Sequence, residues 1–368
     1  MPLRPGDVGE LRELVATFAD KAGGVRLRGG GSKDAIGAPT PDATVVDMRG
    51  FAGVVDYDPP ELVLTVRAGT PLAEVQALVA GENQMLAFDP GELGTTIGGV
   101  IAAGVAGPLR LTRGGVRDHL LGFEAVSGRG ERFIAGGKVV KNVTGFDLPK
   151  VMAGSWGRLA ALTEVTLKVM PRPHMQQTLV LRGLDPEAAV AAMARALGSP
   201  AEISAAAHLA WRGELVTALR LDGFPPSVAA RRAMLCAGAL AALAPIADEE
   251  GDALWDAVRH VRPLASDRPL WRLIVAPSRA PRVVAALPGA DWLLDWAGGL
   301  LWLASDAAPA AIRVAVEANG GHATLVRGDM AMRRTTPTFH PQSAAVAALE
   351  SRVRRAFDPA GVFETGRF

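Results

Sequence analysis

Two glycine-rich stretches in a fixed order constrain this chain most: Arg28-Gly29-Gly30-Gly31-Ser32-Lys33, then Thr95-Thr96-Ile97-Gly98-Gly99-Val100-Ile101-Ala102-Ala103-Gly104. Three consecutive glycines between cations can take φ > 0 and turn successive N–H groups toward one anion. The second stretch places a Thr pair and small residues at the mouth of a short helix, where N-terminal amides lack intrahelical partners and carry partial positive charge. Read alone, the first is equally a flexible loop and the second equally a tight packing surface. Together, in this order, they suit a ligand with two phosphates.

The rest of the chain narrows that ligand by exclusion. Gly136-Gly137-Lys138 is followed by Val139, so there is no P-loop, and no GxGxxG joins a first strand to a helix. The histidines at 119, 174, 208, 260, 322 and 340 never fall within four residues of one another, which removes local metal pairs, and no GxSxG elbow occurs. The single cysteine, Cys236, excludes an internal disulfide, a cysteine zinc site and an iron–sulfur cluster. Lys and Arg total 39 against 38 Asp and Glu, and the aromatic share is 5%, so neither a basic field nor a stacking platform for nucleic acid is present. Any phosphate must be held locally. The N-terminus lacks the apolar core of a secretion signal and no window reaches 18 uninterrupted apolar residues. The expectation is a soluble, cytoplasmic protein without direct membrane insertion.

Periodicity organises 368 residues into two unlike halves. The spacing of Val8, Leu11, Leu14, Val15 and Phe18 predicts a helix over 7–22, capped by Asp7. Strands are predicted at 25–28, 44–47, 62–66, 120–126, 131–134 and 159–169, with a helix over 72–79 capped by Thr70. Beyond Pro171 and Pro173 alanine-rich helices alternate with short strands. Residues 270–327 read as βαββαβ, a ferredoxin-like unit, and 177–245 as a looser β-α-β-β-α, so two such modules can merge into one antiparallel sheet. A helix over 342–356 and a tail around Asp358-Pro359 and Gly361 follow, the tail expected to pack back on the body.

These residues resemble flavoproteins with the vanillyl-alcohol-oxidase (PCMH) type of FAD-binding domain. Arg28 to Ser32 is similar to that family's pyrophosphate loop, and Asp89-Pro90-Gly91 through Gly99 to its second FAD stretch. Arg113 to Gly122 resembles its RYGxxxDxVLG segment, and Gly154-Ser155-Trp156-Gly157-Arg158-Leu159 its GSxGTLG turn at the adenine end, with Arg158 and Ala160 replacing Thr and Gly. Lys138 to Leu148 is similar to the KNVxGYDL stretch of the smaller, FAD-binding (E) subunits of bacterial glycolate oxidases. The resemblance implies an α+β fold: a two-subdomain FAD-binding domain over 1–172, a ferredoxin-like antiparallel α+β cap over 173–335, and a C-terminal helix and tail over 336–368.

It also implies noncovalent FAD, since neither glycine loop carries His or Cys. The cofactor contacts it implies are Arg28, Gly29, Gly30, Gly31, Ser32, Lys33, Pro90, Gly91, Thr95, Thr96, Ile97, Gly98, Gly99, Ala102, Gly104, Asp118, Asp147, Gly154, Gly157 and Leu159. The implied activity is oxidation of a small 2-hydroxy acid, glycolate to glyoxylate. The implied partners are a larger homologous FAD subunit and an iron–sulfur subunit, in a complex that is cytoplasmic or peripheral at the inner membrane. Larger relatives carry a paired-histidine metal motif, HxGDGNxH; here only His322 and Arg327 stand in the comparable strand, and no metal site is expected. Glu364-Thr365 replaces the Asn-Pro of the usual tail beside Arg367. His322, Arg327 and Arg367 are the candidates for catalysis, and an FAD scaffold or electron relay, or an independent FAD oxidase of another alcohol or sugar acid, stays open.

Overall fold

In the computed structural model, which describes residues 2–21, 23–91, 95–138, 146–238 and 240–368, the chain begins with the helix Val8–Asp20. Asp7 caps it by accepting the Glu10 amide at 2.9 Å, and Leu11 and Val15, one turn apart, are fully buried. The strands Val25–Arg28 and Thr44–Asp47 then pair in parallel, Val25 opposite Thr44 and Arg28 opposite Asp47. The glycine run therefore starts where the first strand ends.

A five-stranded antiparallel sheet follows, in the order Val54–Asp58, Val63–Arg67, Ala160–Lys168, Leu120–Ser127, Arg132–Gly136. Its inner face, carrying Leu64, Val66, Leu120, Phe123, Val165 and Leu167, packs on the helices Leu72–Gly81 and Ile97–Ala103. The second glycine stretch is thereby welded to the core: Ile97 and Ile101 are fully buried. Thr70 does not cap the helix at 72. Its hydroxyl donates to the Arg67 carbonyl at 2.7 Å and accepts the Gly53 amide at 3.0 Å, and Pro71 occupies the cap position. A hydroxyl within reach of a closer carbonyl takes that bond instead.

The second half is one eight-stranded antiparallel sheet in the order Ala244–Pro245, Met175–Arg182, Glu214–Gly223, Ala205–Trp211, Asp291–Asp295, Leu300–Ala304, Leu270–Ile274, His322–Arg327. Each four-strand half has the 4-1-3-2 order of a ferredoxin-like βαββαβ unit. The short strand Ala244–Pro245 completes the first unit. The halves meet through a two-residue ladder, His208 opposite Leu294 and Leu209 opposite Leu293. The helices Pro186–Leu197, Pro225–Cys236, Ala280–Ala286 and Pro309–Glu317 cover one face through Met193, Val228, Val283 and Ile312. The other face packs on the helix Asp248–Arg259, which the periodicity reading misses, and on Leu109 of the first half. The helix Ala344–Phe357 leads to a tail whose Val362 and Phe363 join the N-terminal core with Leu11 and Val25.

Candidate functional site

The two glycine stretches, 66 positions apart as read from Gly29 to Thr95, line one cleft of about 790 Å³. Gly29 lies so close to Thr96 that any β-carbon on it would overlap the Thr96 hydroxyl, and a β-carbon on Gly98 would stand 2.8 Å from Ala68. Lys33 Nζ is 3.4 Å from Thr95 Oγ1. Arg28, Gly29, Gly30, Gly31, Ser32, Lys33, Thr95, Thr96, Gly98, Gly99, Ala102 and Gly157 all line this space, with Trp156 and Arg367. Bare backbone on two sides and a lysine at the rim fit a diphosphate.

The two stretches differ in what their amides can do. Among the described residues, the amides of Gly29, Gly30 and Gly31 make no backbone hydrogen bond within the loop or to its neighbours, and Gly31 stands at φ 84°. The helix amides expected to bind phosphate are already engaged. Ile97 N–H donates to the Thr70 carbonyl at 2.9 Å, Gly98 N–H to Ala68 at 2.7 Å, and Gly99 N–H to the Thr96 hydroxyl at 3.3 Å. Pinning this helix against the strand end consumes its first donors, so the first loop supplies the free amides and the second a close-fitting wall.

The remaining expected contacts sit around the cleft rather than in its lining. Ile97 and Leu159 are core side chains. Gly104, at φ 64°, ends the helix against Gly154, at φ 83°, where a β-carbon would come within 3.0 Å of the Gly154 Cα. Gly154 and Trp156 donate to the Ile101 and Ala102 carbonyls at 3.0 and 2.7 Å, which aims the Trp156 ring toward the cleft. Asp118 accepts the Gly115 amide at 2.8 Å and fixes the turn before its own short helix. Pro90 and Gly91 are buried in a second cleft of about 1360 Å³, where Gly91 packs on Arg259, itself paired with Asp89 at 2.8 Å. Asp147 is exposed at the start of the helix Leu148–Met152. Residues 139–145 of the Lys138 to Leu148 motif, and 92–94 of the second stretch, lie outside the described residues.

The C-terminal tail is part of the cleft wall. Arg367 donates to the Ile36 carbonyl at 2.9 Å and to that of Lys33, while Arg333 donates to the carbonyls of Gly37 and Asp34 at 2.8 and 3.1 Å. Burial, then the charge of Arg26, lowers Arg367 to about 10. Phe368 completes a ring cluster with Trp156 and Phe339, each centroid 5.1 Å away. The two departures from the family's pattern answer each other: Arg158 pairs with Glu364 at 3.1 Å and with Glu350 at 2.8 Å, and Arg354 pairs with Glu364 as well. Burial pushes the Glu364 carboxyl up, but these arginines outweigh it and hold it below the usual range. Glu364 does not line the cleft.

Arg327 spends its guanidinium on the Arg268 and Leu264 carbonyls, both at 3.0 Å, so it braces the sheet edge. His322 opens the same edge strand with its surface in solvent; partial desolvation of the ring, then Arg272 and His340, hold it below its usual value. Neither lines the glycine cleft, so the three catalytic candidates are not gathered in one place. Sequence reasoning misses a different cluster. Asp295, fully desolvated, is pushed up to about 7, with Asp89 adding to the rise and Arg272 and Arg259 opposing it, and its Oδ1 accepts the Trp296 amide at 2.7 Å. No spacing marks it, because its neighbours arrive from residues 89, 259 and 272.

Residues 2–136 match a family described as "FAD binding domain". Over 362 residues the chain is 35% identical to the glycolate oxidase subunit GlcE of Escherichia coli, covering 97% of this chain and 95% of that one. It is 28% identical over 180 residues to the glycolate oxidase subunit GlcD of Bacillus subtilis, spanning 48% of this chain and 38% of that longer protein. An alkyldihydroxyacetonephosphate synthase shares the fold, at a TM-score of 0.68 and 15% identity, over 98% of this chain and 75% of its own. With a glycine-lined cleft, an FAD-binding domain match that covers both glycine stretches and a relative matched along nearly its whole length, this chain belongs to the family of FAD-dependent oxidoreductases represented by the glycolate oxidase subunit GlcE.

Proposed function

We propose that the chain is the smaller FAD-binding subunit of a complex that oxidises glycolate to glyoxylate. The observation that carries this reading is the meeting of Gly29 with Thr96 in one cleft, in a chain that matches GlcE end to end. The Gly29 to Ser32 amides and Lys33 hold the FAD diphosphate, Thr95 to Gly99 close the opposite wall, and Trp156 with Phe368 shields the turn at 154–157. Bound FAD supplies the two-electron acceptor that oxidation of a 2-hydroxy acid requires. No His or Cys is among the described lining residues, which supports noncovalent binding. Residues 1–172 form the cofactor domain, 173–335 the cap, and 336–368 a clamp on the cofactor domain.

A larger homologous FAD subunit and a chain bearing iron–sulfur centres take the electrons onward. Among the described residues no helix is long and apolar enough to cross a membrane, which supports a cytoplasmic complex, peripheral at the inner membrane through its partners. A relay role for this flavin is the second reading, favoured by the structural engagement of Arg327 and Arg367. Anaerobic addition of glycolate to the purified chain tests both. Bleached flavin supports direct oxidation. Flavin that bleaches only when the larger subunit is added supports the relay, and a chain isolated and reconstituted without flavin overturns the cofactor site.

A further inference from the structure

On the cap-sheet face that packs toward the FAD-binding half, Leu209, Leu293, Trp302, Arg272 and Thr324 stand opposite one another across five strands. Arg272 is the one charge in that row. Its guanidinium lies 5.3 Å from the centre of the Trp296 ring, and Arg110, from the first half of the chain, lies 4.7 Å from the same ring. Trp296 is held there by its indole N–H, which donates to the Gly107 carbonyl at 3.1 Å, and by two successive left-handed residues, Trp296 at φ 51° and Ala297 at φ 56°. Backbone strain of that kind persists only where the surroundings impose it.

Neither guanidinium makes a hydrogen bond or ion pair among the described residues, whereas Arg259 and Arg220 nearby pair with Asp89 and Asp222. Two cations drawn to one ring face each other's repulsion, and the ring quadrupole offsets only part of it. Burial, then Arg110, lowers Arg272 to about 10, so it stays charged at neutral pH. Asp295, next to Trp296 in sequence, attracts Arg272 through space, but its carboxyl is pushed up to about 7, its Oδ1 is committed to the Trp296 amide, and it forms no ion pair with either arginine. The missing partner is an anion with planar, fork-matching oxygens.

We propose that Arg272 and Arg110, stacked on Trp296, form the seat for the carboxylate of a small organic acid at the junction of cap and FAD-binding half. The identity of that acid as a 2-hydroxy acid rests on the functional reading above. Arg272 is then the residue that positions the acid against the cofactor half.

Calorimetric titration of the flavin-loaded full chain with oxalate, a planar two-carbon acid with no C–H bond to oxidise, tests the seat apart from turnover. Saturable binding is expected, weakened roughly tenfold or more by Arg272→Gln, less by the exposed Arg110→Gln, and partly restored in Arg272→Lys. Flavin content and melting temperature should stay at the parent's values. Unchanged affinity in Arg272→Gln, or no saturable binding by the parent, overturns the seat. Should Arg272→Gln fail to fold, Arg110→Gln decides, and parental affinity there overturns it. Oxalate binding without glycolate oxidation, whether by the chain alone or with the larger subunit added, sinks the functional reading and leaves the seat standing; glycolate bleaching with Arg-independent oxalate affinity does the reverse.

Discussion

At Gly29 a single β-carbon separates an open glycine cleft from a closed one. Any side chain there overlaps Thr96, whose position is fixed by the core helix, so the loop must move away. Gly29→Ala is expected to cut FAD retention severely while the fold survives; absorbance of the purified variant at parental flavin stoichiometry would count against the site. Asp295 makes a second prediction at this scale. Its carboxyl titrates near 3.8 when unfolded and near 7 in the fold. The folded state then holds the proton longer, so stability is complete below about pH 4, falls as pH rises through that interval, and levels off above 7. Asp295→Asn keeps an acceptor for the Trp296 amide and loses this dependence. Its stability relative to the parent should improve between pH 4 and 7 by at most roughly 4 kcal/mol, read from urea unfolding at each pH.

Among the elements, the tail shows how a segment without regular structure does a structural job. Asp358 accepts the amides of Val362 and Phe363 at 2.9 and 2.8 Å, which folds the chain back and buries both side chains. The Val25 amide then bonds to the Val362 carbonyl at 2.7 Å, and that of Ala38 to Arg367 at 2.8 Å, so the tail runs beside the strand and loop that carry the glycine run. Deleting Arg367 and Phe368 frees the Lys33 and Ile36 carbonyls from their donor. FAD should dissociate faster from that truncation, with far-UV circular dichroism unchanged, as followed by recovery of flavin fluorescence on dilution; parental release would remove the tail from the cofactor site. The Asp7 cap and the helix ends near glycines were readable from sequence. Thr70 was not, because its choice between helix amide and strand carbonyl depends on how the two elements meet.

For the whole molecule, the two ferredoxin-like units are joined at a seam of only two residue pairs, and His208 sits on it. Its side chain is fully buried, its ring lies 5.3 Å from Trp292, and Nδ1 is 3.2 Å from the Val216 carbonyl. Burial outweighs that hydrogen bond and lowers it from 6.5 to about 4. The folded state keeps His208 neutral, so stability is complete above 6.5 and is lost as pH falls toward 4, by roughly 3 kcal/mol. His208→Phe, which keeps a ring against Trp292, should flatten the acid limb of the stability profile. An acid limb as steep as the parent's would assign the loss to other groups.

The glycine runs, the strand that feeds the first of them, the small residues of the second and the second βαββαβ unit are local patterns. Each follows from dihedral freedom, side-chain period or turn chemistry within a few neighbours, so composition and order alone pointed to a diphosphate and, by resemblance, to FAD. Which amides remain free was decided by tertiary structure, since the docking of residues 97–99 on Ala68 and Thr70 uses donors that look available in the sequence. The pairing of Arg158 with Glu364, 206 positions apart, was likewise invisible until the tail folded back. So was the gathering of Arg110, Arg272, Asp295 and Trp296. Charges acquire partners, or go without them, only when segments distant in the chain are brought within a few ångströms, and Coulomb's law reads that distance in space rather than the number of residues between.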